Sequence, residues 1–345
     1  MPEGEEGVKW RGTQIRHGRP GERVQKVLLQ SDVHSKSDES PVTVADYGSQ
    51  ALVSFVLEKE LHTEVTMVAE EDSADLRNEG ATETLERITK LINETISNDG
   101  SYSVPPLSSE DVLIAIDRGD SEGGPSGRHW VLDPIDGTKG FVRGDQYAIA
   151  LALLEDGKVV LGVLACPNLP LSPIGSDGQS FLQKEVGCLF YAKVGGGTHM
   201  EHLLMHVCAT EDPAEASFFE SFEAAHSSHD LSSAIASKLG VRAPPVRMDS
   251  QAKYGALARG DGAIYLRFPR KGYREKIWDH AAGCLVVTEA GGVATDAAGN
   301  PLDFSKGKLL DLDTGIVVSN QKLMPSLLKA VRDSLNEASR GTPSL

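Results

Sequence analysis

The stretch Trp130-Val131-Leu132-Asp133-Pro134-Ile135-Asp136-Gly137-Thr138 constrains this chain more than any other, because an apolar run ends abruptly in two carboxylates, a proline, a glycine and a threonine. Val131 and Leu132 read as a buried strand. Pro134 fixes its own φ and biases Asp133 towards an extended conformation, so both acids belong at a strand end that turns sharply. Asp133 and Asp136 can converge there on one hard cation, with the carbonyl of Ile135 as a third oxygen ligand. Free amides at Gly137 and Thr138, opening the next element, would meet an anion. The plainer alternative is an Asx-type turn capping a helix.

Other segments end in the same way. Thr66 to Ala69 is strand-like and runs into Glu70-Glu71-Asp72, and Ile277-Trp278-Asp279-His280 places an acid where a helix starts. Asp46 opens a helix predicted to run to about Leu61 from the spacing of Leu52, Val53, Val56, Leu57 and Leu61; alone it reads as a helix cap or first-turn acid. Oxygen-only ligands select Mg²⁺, Mn²⁺ or Ca²⁺ rather than zinc, and no EF-hand pattern is present.

With 345 residues the chain can bury a large core, and its length suggests two subdomains. The net charge of −16 argues against a nucleic-acid-binding surface and against an anionic membrane partner. A phosphate substrate would then need bound cations. Cys166, Cys188, Cys208 and Cys284 lack metal-finger spacing, so a reducing compartment, the cytoplasm, is expected, with an organelle left open by Arg11, Arg16, Arg19 and Arg23. Cys166 and Cys188, at the edges of expected neighbouring strands, read as buried free thiols, with a disulfide under oxidation as the alternative.

Along the chain, residues 1–22 are rich in glycine and are expected to be disordered or loosely attached. Short helical turns are expected over Val24–Leu29. An Asp156-Gly157 hairpin joins two apolar strands. A turn is expected at Val186-Gly187. Residues 23–197 are taken as an N-terminal α+β subdomain carrying most of the metal ligands, and 198–345 as an α/β subdomain. In the second half a helix is predicted over Pro213–Ala225, with Phe218, Phe219 and Phe222 in the core. Helices follow at Leu231–Leu239, from Met248–Tyr254, and from Asp279 to Ala290; strands are expected at Ala263–Arg267 and Ile316–Val318, before a last helix ending near Ala338.

Taken together, Asp133 to Thr138, Ala69 to Ser73, Trp278 to Ala282 and Val42 to Asp46 resemble the motifs of the lithium-sensitive, magnesium-dependent inositol monophosphatase superfamily. More narrowly, His226 to Asp230, Asp249 to Tyr254 and Lys276 to His280 are similar to segments of its 3'(2'),5'-bisphosphate nucleotidases, the plant members most closely. The resemblance covers about residues 24–340. It implies an α/β fold, the layered αβαβα sandwich of the sugar phosphatases, and hydrolysis of the 3'-phosphate of adenosine 3',5'-bisphosphate (PAP). The sulfated analogue PAPS and inositol 1,4-bisphosphate would be further substrates. Carried over residue by residue, Glu70, Asp133, Ile135, Asp136 and Asp279 would hold roughly two or three Mg²⁺ ions. Asp46 and Thr138 would activate water; Gly137 and Thr138 would bind phosphate; His226, Ser250, Lys253, Arg267 and Asp279 would face the substrate. A monomer acting on a small-molecule nucleotide, without nucleic acid or membrane, is expected. The alternatives are an inositol phosphate phosphatase and a catalytically weak protein that binds PAP.

Overall fold

The computed structural model describes residues 33–35, 41–174, 185–224, 227–270, 272–310, 312 and 314–340. The expectations for residues 1–22, for Val24–Leu29 and for His226 lie outside them.

After the short pair β1 (Val33–Ser35) and β2 (Pro41–Thr43) comes α1 (Val44–Leu61). Thr43 caps this helix in a reciprocal box with Asp46, and His62 ends it in a left-handed conformation. With α2 (Thr82–Asp99) and α3 (Ser109–Asp117) it forms an outer layer whose apolar faces, including Phe55, Ile88, Ile92 and Ile116, share one buried cluster.

These helices cover a seven-stranded sheet of β3 (Met67–Ala69), β4 (Arg128–Asp136), β5 (Ala148–Glu155), β6 (Lys158–Pro170), β7 (Val186–Lys193), β8 (Thr198–Met200) and β9 (Leu203–Met205), in that spatial order. The short helix α4 (Thr138–Arg143) leaves the end of β4. Asp156 and Gly157 join β5 to β6 with φ of 48° and 73°, the positive pair that a two-residue hairpin needs. Cys166 and Cys188 sit directly opposite one another on β6 and β7, both as buried free thiols. Val186 and Gly187 begin β7 instead of making the expected turn, because pairing with the end of β6 extends the strand back to them. The sheet also continues past the boundary drawn at 197/198, since β8 and β9 complete its edge.

A second sheet has the order β11-β10-β12-β14-β13, from β10 (Phe218–Ser221), β11 (Val246–Met248), β12 (Ile264–Arg267), β13 (Gly292–Asp296) and β14 (Ile316–Asn320). The helix expected over Pro213–Ala225 is therefore a correction: one 3-10 turn at Pro213–Glu215 is followed by β10. Parallel pairing with both β11 and β12 buries Phe218 and Phe219 on the two faces of a central strand, and that packing overrides local preference. Phe222, expected in the core, is exposed.

Between the sheets lie α6 (Ala252–Ala258) and α7 (Ala281–Glu289), and outside the second sheet lie α5 (His229–Leu239) and α8 (Met324–Arg340). Every residue of α6 is buried, as befits a helix enclosed on all sides. Asn320 accepts from the amides of Lys322 and Leu323 ahead of α8. The layers alternate α, β, α, β, α as expected.

Candidate metal and phosphate centre

The site begins with a fault in pairing at the end of β4. Asp133 lies opposite Ala150 and Asp136 opposite Ala148, so three steps on one strand match two on the other. Residues an odd number apart on a regular strand face opposite sides of the sheet; one extra residue in a bulge brings them back to the same side. Pro134, which has no amide to donate, sits inside that irregular stretch. Carboxylate oxygens of Asp133, Asp136 and Asp279 lie within 4.8 Å of one another. Asp279 arrives from the turn ahead of α7. The parallel pairing of β3 with β4 sets Ala69 beside Leu132, so Glu70 follows at the same carboxyl edge as Asp133. Ligands in open α/β sheets gather at such edges.

The electrostatics of this cluster are those of a cation site. Burial, then the charges of Glu70, Asp136, Asp279 and Asp46, push Asp133 well above the ordinary carboxylate range. Burial raises Asp136 to about 6 although Lys253 and the amide of Gln251 pull it down. Burial also raises Asp279 well up, against Arg267. Asp133 Oδ1 is buried without a hydrogen-bond partner. An orphaned oxygen among buried acids fits a hard divalent cation, and the donor set is oxygen throughout. Glu275, Asp279 and His280 also converge. There the guanidinium of Arg267 already satisfies Glu275, through Nε at 2.8 Å and Nη2 at 2.7 Å.

Beside the cluster stands a hydroxyl and carboxylate pair. Asp46 Oδ2 accepts from the amide and hydroxyl of Thr43 at 2.8 and 2.7 Å, while Oδ1 accepts from Thr138 Oγ1 at 3.2 Å. Asp46 therefore closes the helix cap through one oxygen and accepts from Thr138 through the other. The Ile135 carbonyl is a second acceptor for Thr138, also at 3.2 Å. Gly137 precedes α4 with φ of 85°, and a Cβ there would come within 3.1 Å of Ser250 Cβ.

Ser250 itself has φ of 67°, uncommon for a residue with a side chain, and lies in the turn before α6. The next amide, Gln251 N–H, donates to Asp136 Oδ2 at 2.5 Å, and the Gln251 side chain bonds Trp278 O and Gly283 N. One neutral residue thus ties three site segments together; the sequence marked its segment, 249–254, but gave Gln251 no role. Lys253 is not a solvated surface charge. Its Nζ donates to the carbonyls of Met248 and Ser250 at 2.9 and 2.8 Å, and burial lowers it to about 8. Arg267, besides its paired bonds to Glu275, reaches Asp279 at 3.5 Å. Burial alone would raise Glu275; Arg267 and His280 outweigh it and hold the carboxyl well below its ordinary value. His280 spans Glu275 and Tyr254, 2.9 Å from each. Glu275 and Tyr254 stand behind the site without having been singled out from the sequence.

A two-sheet αβαβα sandwich with buried acids at its strand ends and a Thr–Asp pair beside them defines a class of metal-assisted phosphatases. The chain belongs to the inositol monophosphatase family, whose profile matches residues 38–336. It is 69% identical over 330 residues to a protein of Arabidopsis thaliana named 3'(2'),5'-bisphosphate nucleotidase 1, covering 93% of this chain and 94% of that one. It is 66% identical over 330 residues to the 3'(2'),5'-bisphosphate nucleotidase of Oryza sativa subsp. japonica, covering 93% and 92%. Among solved structures, an IMPase of Thermotoga maritima shares the fold with a TM-score of 0.60 at 19% identity, covering 94% of this chain and 96% of that one. An IMPase/NADP phosphatase complexed with Mg²⁺ and phosphate does so with a TM-score of 0.56 at 16% identity, covering 90% of each chain. No helix among the described residues is long and apolar enough to cross a membrane.

Proposed function

We propose that this chain is a Mg²⁺-dependent phosphatase that removes the 3'-phosphate of adenosine 3',5'-bisphosphate, releasing AMP and phosphate, and that it also accepts PAPS and inositol 1,4-bisphosphate. The observation that carries the reading is the convergence of Asp133, Asp136 and Asp279 around an orphaned oxygen, next to the Thr138–Asp46 pair.

In this reading Asp133, Asp136, Asp279, Glu70 and the Ile135 carbonyl would hold the cations. Bound there, divalent metal would neutralise the phosphate dianion and acidify a water molecule. Thr138 donates its proton to Asp46, which leaves Oγ1 lone pairs free to accept from the attacking water. As water attacks phosphorus its proton passes to Thr138 while the threonine proton moves to Asp46; the P–O3' bond breaks, and the departing 3'-oxygen takes a proton from solvent water to become the hydroxyl of AMP. Burial of Asp46 and its bonds from Thr43 keep the carboxylate aimed at Thr138. The amides of Gly137 and Thr138 meet the phosphate oxygens. On the nucleotide side, Ser250 and His226 contact the substrate. Lys253 and Arg267 hold the 248–251 turn and Asp279 in place, Lys253 through two backbone carbonyls and Arg267 through Nε and Nη2.

Phosphate release from PAP, inositol 1,4-bisphosphate and inositol 1-phosphate, with Mg²⁺ and with excess EDTA, tests this. Fastest turnover of PAP, abolished by EDTA, is expected. Turnover that survives EDTA, or a preference for inositol 1-phosphate, would overturn it.

A further inference from the structure

The carboxyl edge of the second sheet carries a feature outside the metal and phosphate centre. Parallel register sets Ser221 of β10 against Met248 of β11, so Phe222 and Asp249 emerge side by side where the strands end. Phe218 and Phe219 are buried, yet Phe222 is 49% exposed. Half of the ring therefore stays in water at the strand edge, where a ligand can reach it.

One side of that ring is already backed. The guanidinium carbon of Arg143 lies 4.6 Å from the Phe222 centroid. Arg143 cannot swing away, because it is held by Asp145 at 2.9 Å, by Glu223 at 2.9 Å and by a short bond to Asp249. Asp249 in turn packs against the phosphate cradle: a Cβ added to Gly137 would come within 3.2 Å of its Cβ, and one added to Gly140 within 2.8 Å of its Oδ2. A rigid line of contacts therefore runs from Gly137 through Asp249 and Arg143 to the exposed ring.

Charge decides what the ring receives. Arg143 and Lys139, which is 3.6 Å from Glu223, face three carboxylates, Asp145, Glu223 and Asp249. The surroundings are net acidic, so a second phosphate is repelled there, whereas a neutral aromatic base stacks on a ring without regard to charge.

We propose that Phe222, backed by Arg143, is the stacking platform for the base of the nucleotide substrate and so determines the preference for nucleoside bisphosphates over inositol phosphates. The proposal rests on the nucleotidase reading above. Its test is kinetic, with wild type, Phe222→Ala and Phe222→Trp in saturating Mg²⁺. Loss of one stacked base amounts to about tenfold, or about 1.4 kcal/mol. Phe222→Ala should therefore lower the ratio of kcat/KM for PAP to that for inositol 1,4-bisphosphate about tenfold, through KM, and Phe222→Trp should restore it. Product inhibition reads the same contact independently: the inhibition constant of AMP should rise about tenfold relative to that of inorganic phosphate. Equal losses on both substrates with unchanged AMP inhibition, or no change in KM for PAP, would overturn the platform. A wild type that turns over neither substrate would instead defeat the nucleotidase reading.

Discussion

At Asp46 two oxygens serve two masters: one closes the helix cap on Thr43, the other receives Thr138. The roles separate on mutation. Thr138→Ala leaves the cap intact, so kcat should fall by about 10²–10⁴, the usual worth of a placed proton acceptor, with little change in melting temperature. Asp46→Asn should lose similar activity and, in addition, about 1 kcal/mol of stability from the cap. Steady-state kinetics beside thermal melts would check both, and a Thr138→Ala enzyme with wild-type kcat would remove Thr138 from the proton path. At this scale the acids were legible from the sequence because apolar runs ended in them. What they bond to was not. Lys253 and Arg267 looked like substrate cations, but their partners are the carbonyls of Met248 and Ser250 and the carboxylate of Glu275, and no pattern of spacing reveals such pairings. Gln251 lay inside the 249–254 motif without a role of its own, since a neutral amide is chemically silent until its neighbours are known.

Among the elements, α4 shows packing outweighing propensity. Gly140 lies inside a helix, where alanine is ordinarily favoured by up to about 1 kcal/mol. A Cβ there would stand 2.4 Å from Gln146 O and 2.8 Å from Asp249 Oδ2. Gly140→Ala should therefore destabilise the protein by about 1–3 kcal/mol, as overpacking does, and disturb the end of β4 next to it. Denaturant unfolding would decide, and a stabilised variant would contradict the packing argument. Local signals disclosed α1, α7 and the hairpin, all made from contiguous segments: apolar spacing for the first, an acid at the helix start for the second and the Asp156-Gly157 turn for the third. Periodicity failed at β10, because Phe218 and Phe219 are buried by strands from residues 246–248 and 264–267. It also could not show the bulge that turns Asp133 and Asp136 to one face, which exists only in the pairing with β5.

For the molecule as a whole, the layers bring Asp133 and Asp136 from the end of β4 and Asp279 from the turn before α7 into one cluster, with the charge of Glu70 close by, and this has a thermodynamic cost. Burial raises Asp136 to about 6 and pushes Asp133 and Asp279 well above the ordinary carboxylate range. A carboxyl whose folded value exceeds its unfolded one favours folding when protonated. Its contribution is complete below the unfolded value, near 3.8, and is lost as pH rises through about 6 and beyond. Metal-free protein should thus be less stable at pH 8 than at pH 6, and a cation that binds only the folded cluster should recover the difference. The layered fold was foreseen from motif resemblance; the cost of assembling its site becomes visible only with the acids in place.

The most direct measurement is the melting temperature of chelator-stripped protein at pH 6 and pH 8, with and without Mg²⁺, for wild type and Asp133→Asn. If these carboxylates form a cation site, wild type melts lower at pH 8 and Mg²⁺ raises it by several degrees. Asp133→Asn, relieved of one buried charge, should melt at or above metal-free wild type and lose most of the Mg²⁺ response. A wild type indifferent to Mg²⁺, or an equal rise in Asp133→Asn, would contradict the account.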